Sequence, residues 1–250
     1  MIDATLVNSI AELAVEAAQP KIIDVDGVPH STMQLHDVRP KEPAPDPIIL
    51  SSLSGFVDYV NENPDGLNLA ECVVVIHDPG RVALYSKLVG VHRQRLKYAE
   101  AVAPAAQAVE HRLRQFHEGA DPEKTIIRLK TWCKDGGDRD RVVQILGNLT
   151  DEEIKTMVDD GFTQKATVRS GIQVVDEVRV PNPVNLAPWR TFGEIEQPTS
   201  PFLLRISKGP QGPIVTLAIA DDVTWRVEVV DEIWGYLHRA TVSSKLKILR

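Results

Sequence analysis

Residues 51–102 read SSLSGFVDYVNENPDGLNLAECVVVIHDPGRVALYSKLVGVHRQRLKYAEAV. The first part repeats apolar residues at helical spacing, with Leu53, Phe56, Val57 and Val60 on one face. Ser51 or Ser52 stands at the N-cap, where a hydroxyl takes up a free backbone N–H of the first turn. Asn63-Pro64-Asp65-Gly66 is a turn that ends this helix. The pattern then changes to that of strands. Cys72–His77 and Val82–Leu88 flank Asp78-Pro79-Gly80-Arg81, a turn with proline and glycine in favoured places. Gln94–Val102 is a third strand, with Leu96, Tyr98 and Ala101 alternating less cleanly. The stretch therefore predicts a helix followed by an antiparallel meander.

Toward the N-terminus, residues 4–18 read as a helix. Leu6, Ile10, Leu13 and Ala17 recur at spacings of three and four. Asp3 or Thr5 is placed to cap it, and Pro20 stops it. The narrow, alanine-rich stripe suits docking on a partner or on the body. Ile22, Ile23 and Val25 lead to Asp26-Gly27, a two-residue hairpin turn. Residues 39–47, RPKEPAPDP, hold four prolines in nine positions and form a stiff connector. The expected organisation is a helical arm over 1–20, a hairpin and connector over 21–47, and a main body over 48–250. A sub-division of the body near residue 150 stays open.

Toward the C-terminus, the middle reads as helical. Ala105–Phe116 has mixed patterning. Asp121 caps a segment with Ile126, Ile127, Leu129 and Trp132, and Asp138 caps one with Val142, Val143, Ile145 and Leu146. Asp159-Asp160-Gly161 reads as a turn after Ile154, Met157 and Val158. Gln164–Ser170 and Val174–Val180 form a second hairpin around Gly171. Residues 181–201 hold five prolines and read as a long irregular loop. Phe202–Ile206, Ile214–Ala220 and Trp225–Val230 read as strands, followed by a short helix at 231–240 and a last strand at 245–249. Helices and strands come in runs, so the class is α+β, mainly antiparallel sheets with a helical middle and an N-terminal helical arm.

The chain has 250 residues, a net charge of −7 and a hydrophobic fraction of 43%. That is ordinary globular composition, with enough length for a core without disulfides. Cys72 and Cys133 are far apart and form no metal or disulfide pattern. No apolar run is long enough to span a bilayer, and no positive region precedes an apolar run at the start. A cytoplasmic protein with no membrane partner is the expectation. The sequon at Asn148-Leu149-Thr150 is then incidental.

The search for chemistry returns little. GxGxxG, GxxxxGK[ST], HExxH and GxSxG are all absent. Asp24-Val25-Asp26-Gly27 resembles only part of a calcium loop. The histidines, among them His30, His36, His111 and His117, make no ligand set. Adjacent carboxylates at Glu152-Glu153, Asp159-Asp160 and Asp221-Asp222 read as solvated turns. No metal or other cofactor is implied. Charge is uneven, however: residues 1–50 hold eight acids and three bases, and residues 81–141 hold thirteen bases and eight acids. Arg93, Arg95 and Lys97 alternate on one predicted strand and should share a face. Arg112, Arg114, Arg128 and Lys130 follow, with His111, Lys124 and Lys134 beside them, and together they suggest an anion or nucleic-acid face. A second basic cluster holds Lys165, Arg169, Arg179 and Arg190, the last beside Trp189 in Pro188-Trp189-Arg190-Thr191-Phe192. That Trp either stacks a base or anchors a partner, or else seals its loop onto the sheet.

The runs Gln164–Ile172, Val180-Pro181-Asn182-Pro183-Val184, Pro188–Phe192 and Glu194–Pro198 resemble the YfdQ-like family of uncharacterised tailed-phage and prophage proteins. Leu53–Val60 and Val82–Ser86 fit the same family, and the resemblance spans roughly residues 20–240. It implies a phage-encoded protein made inside the infected or lysogenic bacterium. It carries over no catalytic residue. Two functions remain in view. One is a non-enzymatic, homo-oligomeric binding protein for nucleic acid, a nucleotide or a host defence component. The other is a metal-dependent enzyme on nucleotides or nucleic acid using Asp159, Asp160 or His111, with a virion or assembly component as a further alternative.

Overall fold

The computed structural model describes residues 4–31, 43–90, 92–148, 164–170, 173–180, 182–210, 212–242 and 246–250. Asp3, His36, residues 39–42, Thr150, residues 151–161 with Asp159 and Asp160, and Gly171 lie outside them. The chain separates into two compact units, Met1–Glu42 and Pro43–Arg250, and the division falls within the proline-rich connector.

In the first unit, helix α1 (Ala4–Ala18) is followed by strands β1 (Ile22–Val25) and β2 (Val28–Ser31), paired antiparallel. Asp26 and Gly27 both take positive φ, as the two-residue turn requires. Leu6, Ile10 and Leu13 of α1 are 56%, 58% and 64% exposed.

The second unit begins with β3 (Ile48–Leu50) and α2 (Leu53–Glu62). Ser52 caps α2 by accepting from the Gly55 N–H, and Asn63 closes it in the left-handed conformation. The meander follows as β4 (Val73–Asp78), β5 (Arg81–Val89) and β6 (Gln94–Val102). Together with β12 (Lys247–Leu249) they make a five-stranded sheet in the order β12-β4-β5-β6-β3. The meander is antiparallel, and both edge strands pair parallel to it. One face of this sheet presents Val74, Ile76, Val82, Leu84, Ala99 and Ala101 to a core. Leu53, Phe56 and Val60 of α2 fill that core, with Trp225, Val229, Ile233 and Leu237 of the last helix, α7 (Thr224–Ala240). Each such side chain contributes about 1.5–3 kcal/mol on burial.

The middle of the chain is helical: α3 (Pro104–Gln107), α4 (Val109–Glu118), α5 (Pro122–Trp132) and α6 (Arg139–Gly147). Asp121 caps α5 as expected, accepting from the Lys124 N–H at 2.8 Å. Asp138 does not cap α6 through its side chain. Its Oδ2 accepts instead from the Asn185 N–H at 2.8 Å, a donor that competes with the helix end. Next come the hairpin β7 (Gln164–Ser170) and β8 (Gln173–Val180), then β9 (Val184–Leu186), β10 (Ser200–Gly209) and β11 (Gly212–Ile219). The last three form a sheet in the order β11-β10-β9. A second core lies between this sheet and the helices, with Phe116, Leu129, Val142 and Leu146 against Phe202, Leu204, Val215 and Leu217. Each core draws residues from both sides of residue 150.

The architecture is mixed α+β with mostly antiparallel sheets. Two further expectations are corrected: the stretch read as an irregular loop over 181–201 holds β9 and the start of β10, and Trp225–Val230 is helical, the first part of α7, and not a strand. The local run Trp-Arg-Val-Glu-Val alternates like a strand and is rich in β-branched residues. Burial at Trp225, Val229, Ile233 and Leu237 recurs every four residues, and that tertiary stripe overrides the local pattern. Among the described residues no helix is long and apolar enough to cross a membrane.

Candidate anion site around Arg190

The loop before β10 is laced onto the end of α5. Lys134 donates its N–H to the Ala187 carbonyl and Trp189 donates its own to the Trp132 carbonyl, both at 2.8 Å. This anchoring carries Arg190 inward, and its side chain is fully buried. Nη2 donates to the Pro198 carbonyl at 2.6 Å and to Ser200 Oγ at 2.9 Å. The guanidinium carbon lies 4.3 Å from the centre of the Trp225 ring. Nε and Nη1 have no hydrogen-bond partner. Burial pushes the Arg190 pKa down to about 10, opposed by Asp222 and Cys133, so the group stays charged at neutral pH. A buried cation with donors left unpaired is costly and uncommon.

Arg190 lines a cavity of about 240 Å³. Trp225 and Arg226 come to it from α7, Gly80 and Arg81 from the β4–β5 turn, and Gln107 and Glu110 from α3 and α4. The turn is held by the Gly80 carbonyl, which accepts from the Ala103 N–H at 2.8 Å, and by the Pro79 carbonyl, which accepts from Thr191 Oγ1 at 2.5 Å. Glycine is required at position 80 because a Cβ there would lie 2.2 Å from the Ala106 Cβ. Arg81 already has a carboxylate, with Nη2 3.3 Å from Asp78 Oδ2. Arg226 has two, Glu110 at 2.9 Å and Asp222 at 3.4 Å. Those two acids and the Trp225 ring, 4.6 Å from the Arg226 guanidinium carbon, hold that side chain in place. Among the described residues Arg190 is in no ion pair, although Asp222 acts on it at longer range, and the three arginines are balanced in charge by Asp78, Glu110 and Asp222. The volume is below that of a drug-sized site and fits one anionic group.

The residues singled out in the sequence are mostly committed elsewhere. Arg93 is not on a strand. It is exposed in the turn before β6 with a φ of 50°. Arg95 Nη1 donates to the Ser86 carbonyl at 2.7 Å, and Lys97 pairs with Glu100 at 2.8 Å. A bulge at Tyr98 lets Lys97 and Glu100 meet on one face. Arg112 Nη1 donates to the Trp189 carbonyl at 3.3 Å. Arg114 lies 3.8 Å from Glu118. Arg128 donates to the carbonyl and side chain of Gln115 at 2.7 and 2.9 Å and lies over the Trp132 ring. Lys130 is exposed on α5. Lys165 and Arg169 stand on β7, where Lys165 is in register with Arg179. Arg112, Arg128, Trp189 and Arg190 are thus gathered around the α5 end, chiefly as internal ties. Trp189 is half-buried and sealed to its loop, and Arg190 is buried and not displayed.

Trp225, Arg226, Gly80 and Gln107 were not legible as site residues. The one sequence signal is a second Trp-Arg pair, Trp225-Arg226, echoing Trp189-Arg190. Among the described residues no cluster of His, Cys, Asp or Glu is placed to hold a metal ion. Cys133 is buried beside this site, and burial pushes its thiol up to about 12 against the opposing pull of Arg139, Arg190 and Arg112. It therefore stays protonated and unreactive at neutral pH. No family model, no curated protein and no solved structure matches the chain.

Proposed function

We propose that this is a non-enzymatic binding protein that holds its ligand by an anionic group in the Arg190 cavity. The observation that carries this reading is the fully buried Arg190, which lines a half-open cavity and leaves Nε and Nη1 unpaired. The reading favours a small anion of the nucleotide or metabolite kind over a long nucleic acid. Arg95, Lys97, Arg112 and Arg128 are spent on internal contacts, so these four are not free to track a phosphate backbone. The phage-family resemblance supplies the setting, a role in the cytoplasm of an infected or lysogenic bacterium.

The test is thermal unfolding in inorganic phosphate or acetate against chloride at equal ionic strength. A ligand that binds only the folded state raises Tm with concentration. Gln107 lines the cavity and is exposed, so its replacement is compatible with folding. Gln107→Glu should weaken anion binding about threefold and Gln107→Lys should strengthen it by a similar factor. Arg190→Met should abolish it. Equal Tm values in all three salts would refute the reading.

A second observation favours self-association through α1. Leu6, Ile10, Leu13 and Ala17 are spaced as d and a positions of two heptads, with Leu at d, and the stripe is exposed. Ile10→Glu and Leu13→Glu should lower the native mass measured by light scattering, and an unchanged mass would remove the helix from any assembly.

A further inference from the structure

A second concavity of about 510 Å³ adjoins the Arg190 cavity. The two share Asp78, Pro79 and Arg226 as common wall. The second is a groove along the outer side of α7, where Val227 and Val230 meet Pro79 and His77. Its polar groups are engaged with one another or with neighbours. Asp231 pairs with Arg250 at 2.5 Å, and that guanidinium lies over the Trp234 ring. His77 Nε2 is 3.0 Å from the Tyr85 hydroxyl. Val227 is 60% exposed. The Arg190 cavity therefore adjoins, across Arg226, an apolar trough whose own charges are paired.

We propose that the ligand is an amphipathic anion, with a carboxylate or phosphate head at Arg190 and an apolar body lying along Pro79, Val227 and Val230. This rests on the anion reading above and adds the class of molecule. A buried guanidinium whose Nε and Nη1 lack hydrogen-bond partners selects an oxyanion head. Arg226 is fixed by Glu110, Asp222 and Trp225, so it forms a rigid sill between head and body. Asp78 and Asp231 sit at the edges of the groove, each already paired with an arginine. They disfavour a second negative charge on the body and so narrow the class to anions charged at one end.

The experiment is calorimetric titration of the full chain with acetate, butyrate, hexanoate and octanoate, and with inorganic phosphate and the matching alkyl phosphates. Affinity should rise about two- to fourfold per added methylene until the groove is filled. The better of the two series identifies the head. Val227→Asn, on the exposed side of α7, should lower the gain per methylene. Phosphate or acetate binding with no dependence on chain length would overturn the proposal and leave the anion site standing. So would a chain-length gain that Val227→Asn does not change, because the body would then lie elsewhere. No binding by any probe would sink both readings together.

Discussion

The contact between the β4–β5 turn and α3 forms one wall of the Arg190 cavity, and Gly80→Ala tests it. Carbon atoms pack at about 3.5–4.0 Å. The added methyl would stand 2.2 Å from the Ala106 Cβ, so the gap must open by more than an ångström. The turn cannot simply retreat, because the Gly80 N–H donates to Asp78 Oδ1 and its carbonyl accepts from Ala103, both at 2.8 Å. Overpacking of this kind costs about 1–3 kcal/mol. The reduced freedom of the unfolded chain gives back less than about 1 kcal/mol. A net loss near 2 kcal/mol is expected, or about 4–8 °C in Tm for a chain of this size. Ala106→Gly alone should cost about 0.5–1 kcal/mol through backbone entropy. The double variant removes the clashing methyl, so it should be more stable than Gly80→Ala, with a coupling of about 2 kcal/mol. Urea unfolding followed by tryptophan fluorescence measures all four proteins, with an unchanged m-value as the check on two-state behaviour. Gly80→Ala within 0.5 kcal/mol of wild type, or strictly additive effects in the double variant, would refute the geometry.

Three further outcomes follow from named contacts. Val229 is 1% exposed and Val227 is 60% exposed on α7, so Val229→Ala should cost about 1–3 kcal/mol and Val227→Ala less than 0.5 kcal/mol. A strand would put the two on one face, so similar losses in urea titrations would contradict the helix. The Asp221 carboxylate is held below its ordinary pKa by the Thr224 hydroxyl and N–H and by the Val223 N–H. A depressed folded pKa stabilises above the unfolded value and is lost as pH falls through the folded one. The stability gap between wild type and Asp221→Asn should therefore be constant from pH 5 to 8 and shrink below about pH 4, as acid titrations would show. Cys72 and Cys133 are both buried with raised pKa values, Cys133 to about 12. Thiol reagents at pH 8 should label them only as fast as the fold opens, and a burst of labelling in the native protein would contradict that.

The legible parts of the fold are those decided by neighbours in sequence. The Ser52 cap, the Asn63 stop and the Pro79-Gly80 turn act over a few residues, so the helix and meander could be read directly. Where a distant partner decides, reading failed. Asp138 has the right residue type for a cap, but the Asn185 N–H, 47 positions away, takes its carboxylate. Trp225–Val230 alternates like a strand, and only the sheet and α2 beneath it select the four-residue stripe of a helix. Arg93, Arg95 and Lys97 share a spacing, yet Arg93 falls in the turn before β6 and Arg95 and Lys97 are drawn to Ser86 and Glu100.

The same distinction applies to charge. Thirteen bases against eight acids in residues 81–141 suggest a basic surface, but most of the pairing that settles the matter is local to the fold. Arg95 and Arg128 are drawn to main-chain carbonyls, and Lys97 and Arg114 are drawn to carboxylates one turn or one bulge away. Arg190 is marked in the sequence as part of a basic cluster beside Trp189, on a loop either displayed to a partner or sealed onto the sheet, and as a candidate ligand contact. The structure buries it under Trp225 with Nε and Nη1 unsatisfied. Its pKa is pulled down chiefly by burial, so the fold carries a desolvation cost that its internal contacts do not fully offset. A well-packed apolar side chain would avoid that cost, because buried charges are commonly replaceable without loss of stability. An anion at the unpaired donors would offset it, and binding energy is then drawn from a penalty already present in the free protein. Stabilisation by phosphate or acetate in wild type, and none in Arg190→Met, is the outcome this reasoning requires.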